Sequence, residues 1–184
     1  IGVRHQYDEM GGITHQYYPI TKDYELVGIK WRTRDKKWNN RGEVGSACDL
    51  FGQVSFRSSS SRNVIIASGE IDAISTYQVL NEYFSSKGWE CPPIVSSTCG
   101  EGALSQFRNH YEWLNKFDKI YIQPDQDEPG IEYLHKLAQV LPRNKLFVIE
   151  LPLKDVNECL QKDKSKAIID SYFRARSYTP SGVM

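Results

Sequence analysis

Asp125 and Asp127 are two carboxylates one residue apart. They stand directly after an apolar run, Lys119-Ile120-Tyr121-Ile122-Gln123-Pro124, and directly before Glu128-Pro129-Gly130 and a helical pattern that starts at Ile131. That order puts the pair at the C-terminal tip of a predicted buried strand, where a helix begins. In an open α/β sheet this edge is where ligands bind. Two acids on one tight loop could converge on a single ion. Mg²⁺ suits them, because it takes one or two carboxylates and fills its remaining positions with water and substrate phosphates. The other reading is that the acids only open the helix, complementing the positive end of its dipole.

Two upstream units repeat the arrangement. Asn63-Val64-Ile65-Ile66-Ala67 reads as a strand. Ser68-Gly69-Glu70-Ile71-Asp72 follows as a loop, with Gly69 at the sharp turn, and helical spacing continues from Ala73 to Leu80. Pro93-Ile94-Val95-Ser96-Ser97 leads to Thr98-Cys99-Gly100-Glu101-Gly102 and then to Ala103-Leu104-Ser105-Gln106-Phe107. The glycines of this third loop leave backbone N–H groups free to approach a phosphate or a neighbouring loop.

These residues resemble a known family. Ser68-Gly69-Glu70-Ile71-Asp72, Asp125-Gln126-Asp127-Glu128-Pro129-Gly130 and Lys154-Asp155-Val156-Asn157-Glu158 resemble, in order and spacing, the toprim core of primases. The last is close to the Lys-Asp-Ala-Asn-Glu signature of the bifunctional primase–helicases of T-odd phages and their mitochondrial relative Twinkle. Cys48-Asp49-Leu50-Phe51-Gly52 looks like a Leu-Phe-Gly segment of the same group. The resemblance runs from about Tyr17 to Val183.

It implies a DNA primase domain that makes short RNA primers on a single-stranded DNA template from ribonucleoside triphosphates, beside a C-terminal helicase domain. A primer 3′-hydroxyl would attack the α-phosphate of the incoming nucleotide. Mg²⁺ (or Mn²⁺) near Asp125 and Asp127 would neutralise the developing charge. Asp72 could hold a water of that metal, and Asp155 could extend the acidic cluster. Repulsion among these carboxylates should make the site cation-hungry. Asp155 and Asn157 read equally well as a helix cap before Glu158.

One position departs from the family. Members with primase activity carry Glu-Gly-x-x-Asp after the first strand, and here the glutamate position holds Ser68. A hydroxyl cannot replace a carboxylate as general base. Either the activity is weakened or lost, or the acid was removed by an introduced change, or Glu70 substitutes. Animal Twinkle also lacks acids at family metal positions, whereas this chain keeps Asp125 and Asp127. The alternative function is a non-catalytic platform that holds single-stranded DNA for an attached helicase. A toprim nuclease or topoisomerase fragment is a third reading. It lacks the extra family matches and, for a topoisomerase, the domain with the transesterifying tyrosine.

Bulk properties set wider bounds. The 184 residues allow one large domain or two small ones, and 40% hydrophobic with 25% charged residues is ordinary for a globular protein. No apolar run approaches the ~18 residues of a membrane span, so no membrane partner is expected. There is no signal-peptide pattern, and a start at Ile1-Gly2 rather than Met suggests a piece of a longer protein. Cys48, Cys91, Cys99 and Cys159, with His5, His15, His110 and His135, make no zinc pattern. They read as reduced thiols of an intracellular protein, in a phage-infected cytoplasm or a mitochondrial matrix. The separate zinc-binding module of family primases has no counterpart in these residues.

With 23 basic and 23 acidic residues the net charge is zero, but the distribution is uneven. Lys30, Arg32, Arg34, Lys36, Lys37 and Arg41 crowd one segment, with Trp31 and Trp38 interleaved. Cations for phosphates and rings for bases are what single-strand binding needs. A solvated strand face with buried tryptophans is the plain alternative. In the resembling family, residues matching Lys30, Arg32 and Lys36 contact incoming nucleotides or template.

Residues 1–58 are expected to form a small mixed module. Thr14–Ile20 and Glu25–Arg32 would be its strands, joined by a hairpin turn at Thr21–Tyr24. Ser58-Ser59-Ser60-Ser61-Arg62 reads as a linker. Residues 63–160 alternate strand and helix, which predicts an α/β toprim fold with a parallel sheet and helices on both faces. Its last strand falls at 145–149. Helices are expected near 70–84, 103–116, 129–141 and 164–176. Residues 161–184 would carry that last helix and the start of a linker at Tyr178-Thr179-Pro180-Ser181-Gly182.

Overall fold

Aromatic and β-branched residues crowd Ile13–Lys22 and Glu25–Thr33, and they form the middle of an antiparallel sheet. The structure, a computed structural model, describes residues 2–180; the end of the expected linker, residues 181–184, lies outside them. Strands β1 (Arg4–Tyr7), β2 (Ile13–Lys22), β3 (Glu25–Thr33) and β4 (Trp38–Gly42) pair antiparallel in chain order. Asp23 and Tyr24 form the β2–β3 turn with φ of 51° and 69°, the left-handed twist that a two-residue hairpin requires. Asp49 secures the turn. Its carboxylate accepts the Tyr24 N–H at 2.9 Å, and its own N–H donates to the Thr21 carbonyl at 2.7 Å. Lys30 lies opposite Tyr18 and Asn40, and Trp31 opposite Tyr17 and Asn39. Successive β3 side chains therefore face opposite sides.

The second sheet is the parallel one. Its elements are β5 (Asn63–Ala67), α1 (Glu70–Ser86), β6 (Ile94–Val95), α2 (Ala103–Asn109), α3 (Tyr111–Leu114), β7 (Lys119–Gln123), α4 (Glu128–Ala138), β8 (Leu146–Val148), α5 (Val156–Gln161), α6 (Ser165–Phe173) and β9 (Arg176–Ser177). The strand order is β6-β5-β7-β8-β9, parallel except for β9. Ile65, Ala67 and Tyr121 face α1, α5 and α6 in one core. Val64, Ile66, Ile120 and Ile122 face α2, α3 and α4 in the other. Burying each of the Val and Ile side chains contributes about 1.5–3 kcal/mol, and both faces of the sheet are covered, as the sequence predicts.

The two sheets are joined through the intervening segment. Leu50 lies in one core and Phe51 in the other, and Tyr18 meets the Phe51 ring edge-on at 5.9 Å. In the Ser58–Arg62 stretch, the Ser59 and Ser60 hydroxyls donate to the Glu90 carboxylate.

Several elements differ from the sequence reading. The helix expected over 103–116 is broken at His110, whose backbone leaves helical geometry at φ −101° and ψ 15° while its ring and its N–H both bond the Gln106 carbonyl, at 2.9 and 3.1 Å. The last helix ends at Phe173 rather than near 176, because Arg176 instead pairs with Val148 at the sheet edge. β1, β4 and β9 carry no local signal: every residue in them is exposed.

Candidate active site

The chain leaves β5 toward β6 on one side and β7 toward β8 on the other. The loops after β5 and β7 therefore part at a topological switch point, the crevice where open α/β sheets bind ligands. Ser68 ties them together. Its hydroxyl donates to the Gln123 carbonyl at 3.1 Å and accepts the Asp125 N–H at 3.1 Å. Gly130 makes a second close approach, since a Cβ there would meet the Asp125 carbonyl oxygen at 2.2 Å. Only a residue without a side chain lets α4 start so near the aspartate loop.

Four aspartates gather at these tips with unequal engagements. Asp127 caps α4, accepting the Gly130 N–H at 2.9 Å, and its other oxygen lies 3.0 Å from Lys154 Nζ. Those two contacts, the N–H first, hold its carboxyl below the usual range. Asp155 caps α5, accepting the Glu158 N–H at 2.7 Å. Asp72, in the first turn of α1, accepts from Asn157 Nδ2 at 2.7 Å, and Asn157 in turn accepts the Ser75 hydroxyl at 2.6 Å. Burial, together with the charges of Asp125 and Asp155, pushes the Asp72 carboxyl up to about 7. Burial also raises Asp125, with Asp127 and Asp155 adding to the effect and the Ser68 hydroxyl opposing it. Gln126 N–H donates to the Lys154 carbonyl at 2.7 Å, which holds the third motif against the second.

Lys30 reaches across from the antiparallel sheet. Its Nζ lies 2.6 Å from Glu70 Oε1 and 3.2 Å from the Thr98 carbonyl. Lys30 and Glu70 are both largely buried, at 16% and 6% side-chain exposure, so Glu70 stands ion-paired. The same ammonium sits 4.3 Å from the Trp38 ring centre, and the Arg32 guanidinium 5.7 Å from it. A cavity of about 310 Å³ is lined by Lys30, Ser68, Glu70, Asp125, Asp127 and Tyr133, among others. A neighbouring one of about 680 Å³ shares Lys30 and Glu70 and includes Trp38 and Gly100.

The other residues of the basic segment lie apart from these cavities. Arg34 pairs with Asp8, Lys37 pairs with Asp35 at 2.8 Å, and Lys36 occupies the hairpin tip with φ of 65°. Trp31 is on the opposite face of the sheet, tilted against the Tyr17 ring. Among the described residues, no three His, Cys, Asp or Glu side chains form a ready metal-holding group, and Asp127 and Asp155 each give an oxygen to a helix cap. The donor set still fits a hard cation. It is all oxygen, and its charges repel one another without a counterion.

Residues 65–160 match the Toprim-like family, more than half of the chain. The chain belongs to that family. This toprim domain is 30% identical over 162 residues to the DNA helicase/primase of Enterobacteria phage T3, covering 86% of the chain and 26% of that relative. It thus spans about a quarter of the curated relative's length. It superposes on the primase fragment of the bacteriophage T7 primase-helicase protein with a TM-score of 0.75 at 25% identity, over 93% of this chain and 67% of that one. It also shares its fold with a chain in the structure of the T7 lagging-strand DNA polymerase interacting with primase domains bound to an RNA/DNA hybrid and dTTP. There the TM-score is 0.77 at 23% identity, over 96% and 94% of the two chains. The resemblance read from the motifs is borne out.

Sequence reading missed the supports of the toprim site. Gln106 is fully buried. It accepts from the Ser97 hydroxyl and the Thr98 N–H, and it donates to the carbonyls of Cys48 and Asp49 at 3.0 Å each. Gln123, also buried, accepts the Thr76 hydroxyl at 2.6 Å. Its sequence signal is a polar residue closing an apolar run.

Proposed function

We propose that this toprim domain is the primer-synthesising part of a primase–helicase, with chemistry weakened by Ser68. The crowd of aspartates at the switch point, with Asp72 and Asp125 both raised by burial and by their neighbours, carries the reading. Such a cluster is complete only with a cation, and the phosphates of a nucleoside triphosphate are what a divalent ion there would share. Asp125, Asp127 and Asp155 would hold Mg²⁺ or Mn²⁺, which would supply charge neutralisation at the phosphates undergoing transfer. Displacing Lys154 from Asp127 would free a carboxylate oxygen for that role.

Lys30, with Arg32 and Trp38 beside it, offers cations and a ring across the cleft from the acids, which supports nucleotide and single-stranded template as its occupants. An attached helicase domain is supported by the phage T3 relative, a DNA helicase/primase. Action in the cytoplasm of a phage-infected cell has the same support, and a mitochondrial matrix has none. Among the described residues, no helix is long and apolar enough to cross a membrane.

The base is the weak point. Ser68 is occupied as a bridge between two loops, and Glu70 is held by Lys30. On this reading both are engaged elsewhere, which would weaken either as a proton acceptor for an attacking hydroxyl. The same observation favours a second reading, a platform that binds single-stranded DNA without synthesis. A primer-synthesis assay on the full-length protein with Mg²⁺ or Mn²⁺ separates them. The weakened enzyme makes few primers, and Ser68→Glu raises the yield by something like the ~10²–10⁴-fold of general-base catalysis. No synthesis in either form leaves the platform. Vigorous synthesis that disappears in Glu70→Gln would show that Glu70 has taken over the role.

A further inference from the structure

The cleft accounts for one face of the antiparallel sheet, and the opposite face has its own composition. Register places Arg4, Tyr17, Trp31 and Asn39 in one cross-strand row, and Pro19, Ile29 and Arg41 in the next. Residues directly opposite in paired strands project to the same side, so these side chains share the face turned away from Lys30 and Glu70. The Tyr17 and Trp31 rings lie 6.3 Å apart, and His15 stacks on Tyr17 at 5.9 Å. Tyr17, Ile29, Trp31 and Arg41 line a shallow depression of about 580 Å³. Leu26 at its rim is 67% exposed. An aromatic and apolar surface of this kind marks an interaction site.

Charge decides the partner. Among the described residues, Arg4 and Arg41 form no salt bridge, while Lys22, Arg34 and Lys37 of the same sheet and its turns are paired with acids. The two rows contain no carboxylate. An apolar protein surface docked here would bury two guanidiniums without partners, which is costly. A duplex would offer no unstacked bases to the rings. Single-stranded nucleic acid offers both phosphates and free base faces. Three strand spacings of about 4.8 Å separate the outer strands by roughly 14 Å, enough for a few nucleotides.

We propose that this outer face is a second track for single-stranded nucleic acid, with Tyr17 and Trp31 stacking bases and Arg4 and Arg41 holding phosphates. It rests on the cleft reading only in that a single strand reaches this domain. The test is photocrosslinking of the protein to oligothymidylate carrying 5-iodouracil, with adducts mapped by mass spectrometry, alongside anisotropy titrations over a range of salt. Adducts are expected on Tyr17 or Trp31 as well as in the cleft. Trp31→Ala should weaken binding roughly tenfold, the loss of one stacked base, while Trp31→Phe keeps most of it. Arg4→Ala with Arg41→Ala should flatten the salt dependence, because fewer counterions are released.

Adducts confined to the cleft, with affinity and salt slope unchanged in folded Trp31→Ala, overturn this proposal and leave the cleft reading intact. A change of oligomeric state in Trp31→Ala at unaltered DNA affinity overturns it in favour of a protein-covered face. If the parent protein binds no single strand, this proposal and the DNA-binding part of the cleft reading fall together.

Discussion

Asp72 should destabilise the cation-free protein as pH rises, and Asp72→Asn should remove that effect. Its carboxyl is held at about 7 against an ordinary 3.8, chiefly by burial and then by the charges of Asp125 and Asp155. At about 1.4 kcal/mol per pH unit, that difference amounts to ~4 kcal/mol at most. The folded protein holds this proton more tightly than the unfolded chain does. The contribution is therefore fully present below 3.8 and is lost as pH rises to about 7. Carboxyls held low, such as Asp127 and Glu158, act in the opposite sense and lose their contribution as pH falls. The comparison must therefore be between parent and variant at each pH. Asparagine keeps an oxygen for the Asn157 amide, so the bond at 2.7 Å survives while the charge goes. Urea unfolding in EDTA at pH 5 and pH 8 should show Asp72→Asn gaining on the parent at the higher pH. Saturating Mg²⁺ should narrow the difference. A parent and variant with parallel stability profiles between pH 4 and 8 would refute the electrostatic account of the cluster.

Replacing both Asp125 and Asp127 by Asn should abolish divalent binding in calorimetry while leaving the fold intact; unchanged affinity would remove them from the metal site. Lys30→Met leaves Glu70 buried without its partner and should cost about 3–5 kcal/mol in urea unfolding, much of it restored when Glu70→Met is added. Gly130→Ala puts a Cβ where only 2.2 Å separates it from the Asp125 carbonyl oxygen, so it should displace the aspartate loop and weaken Mg²⁺ binding. Unaltered calorimetric affinity in Gly130→Ala would show that the close approach does not position the site.

The sequence by itself determined the α/β class, the three strand–loop–helix units and the family. These rest on local signals: apolar runs such as Val64–Ala67 and Ile120–Ile122, and punctuation by Gly69 and by Pro129-Gly130 where chain direction must change. The switch-point loops were legible for the same reason, since the residues that end a strand and open a helix are neighbours in the chain. Tertiary structure alone decided what those residues do to one another. Lys30 meets Glu70 across 40 positions, and Asn157 meets Asp72 across 85. No period or spacing encodes such pairs, because they depend on which sheet edges come together. Ser68 is a bridge only because β5 and β7 are neighbours in the parallel sheet. The split of Trp31 and Trp38 between two faces follows likewise from the register of a hairpin whose second strand, exposed at every residue, has no pattern of its own.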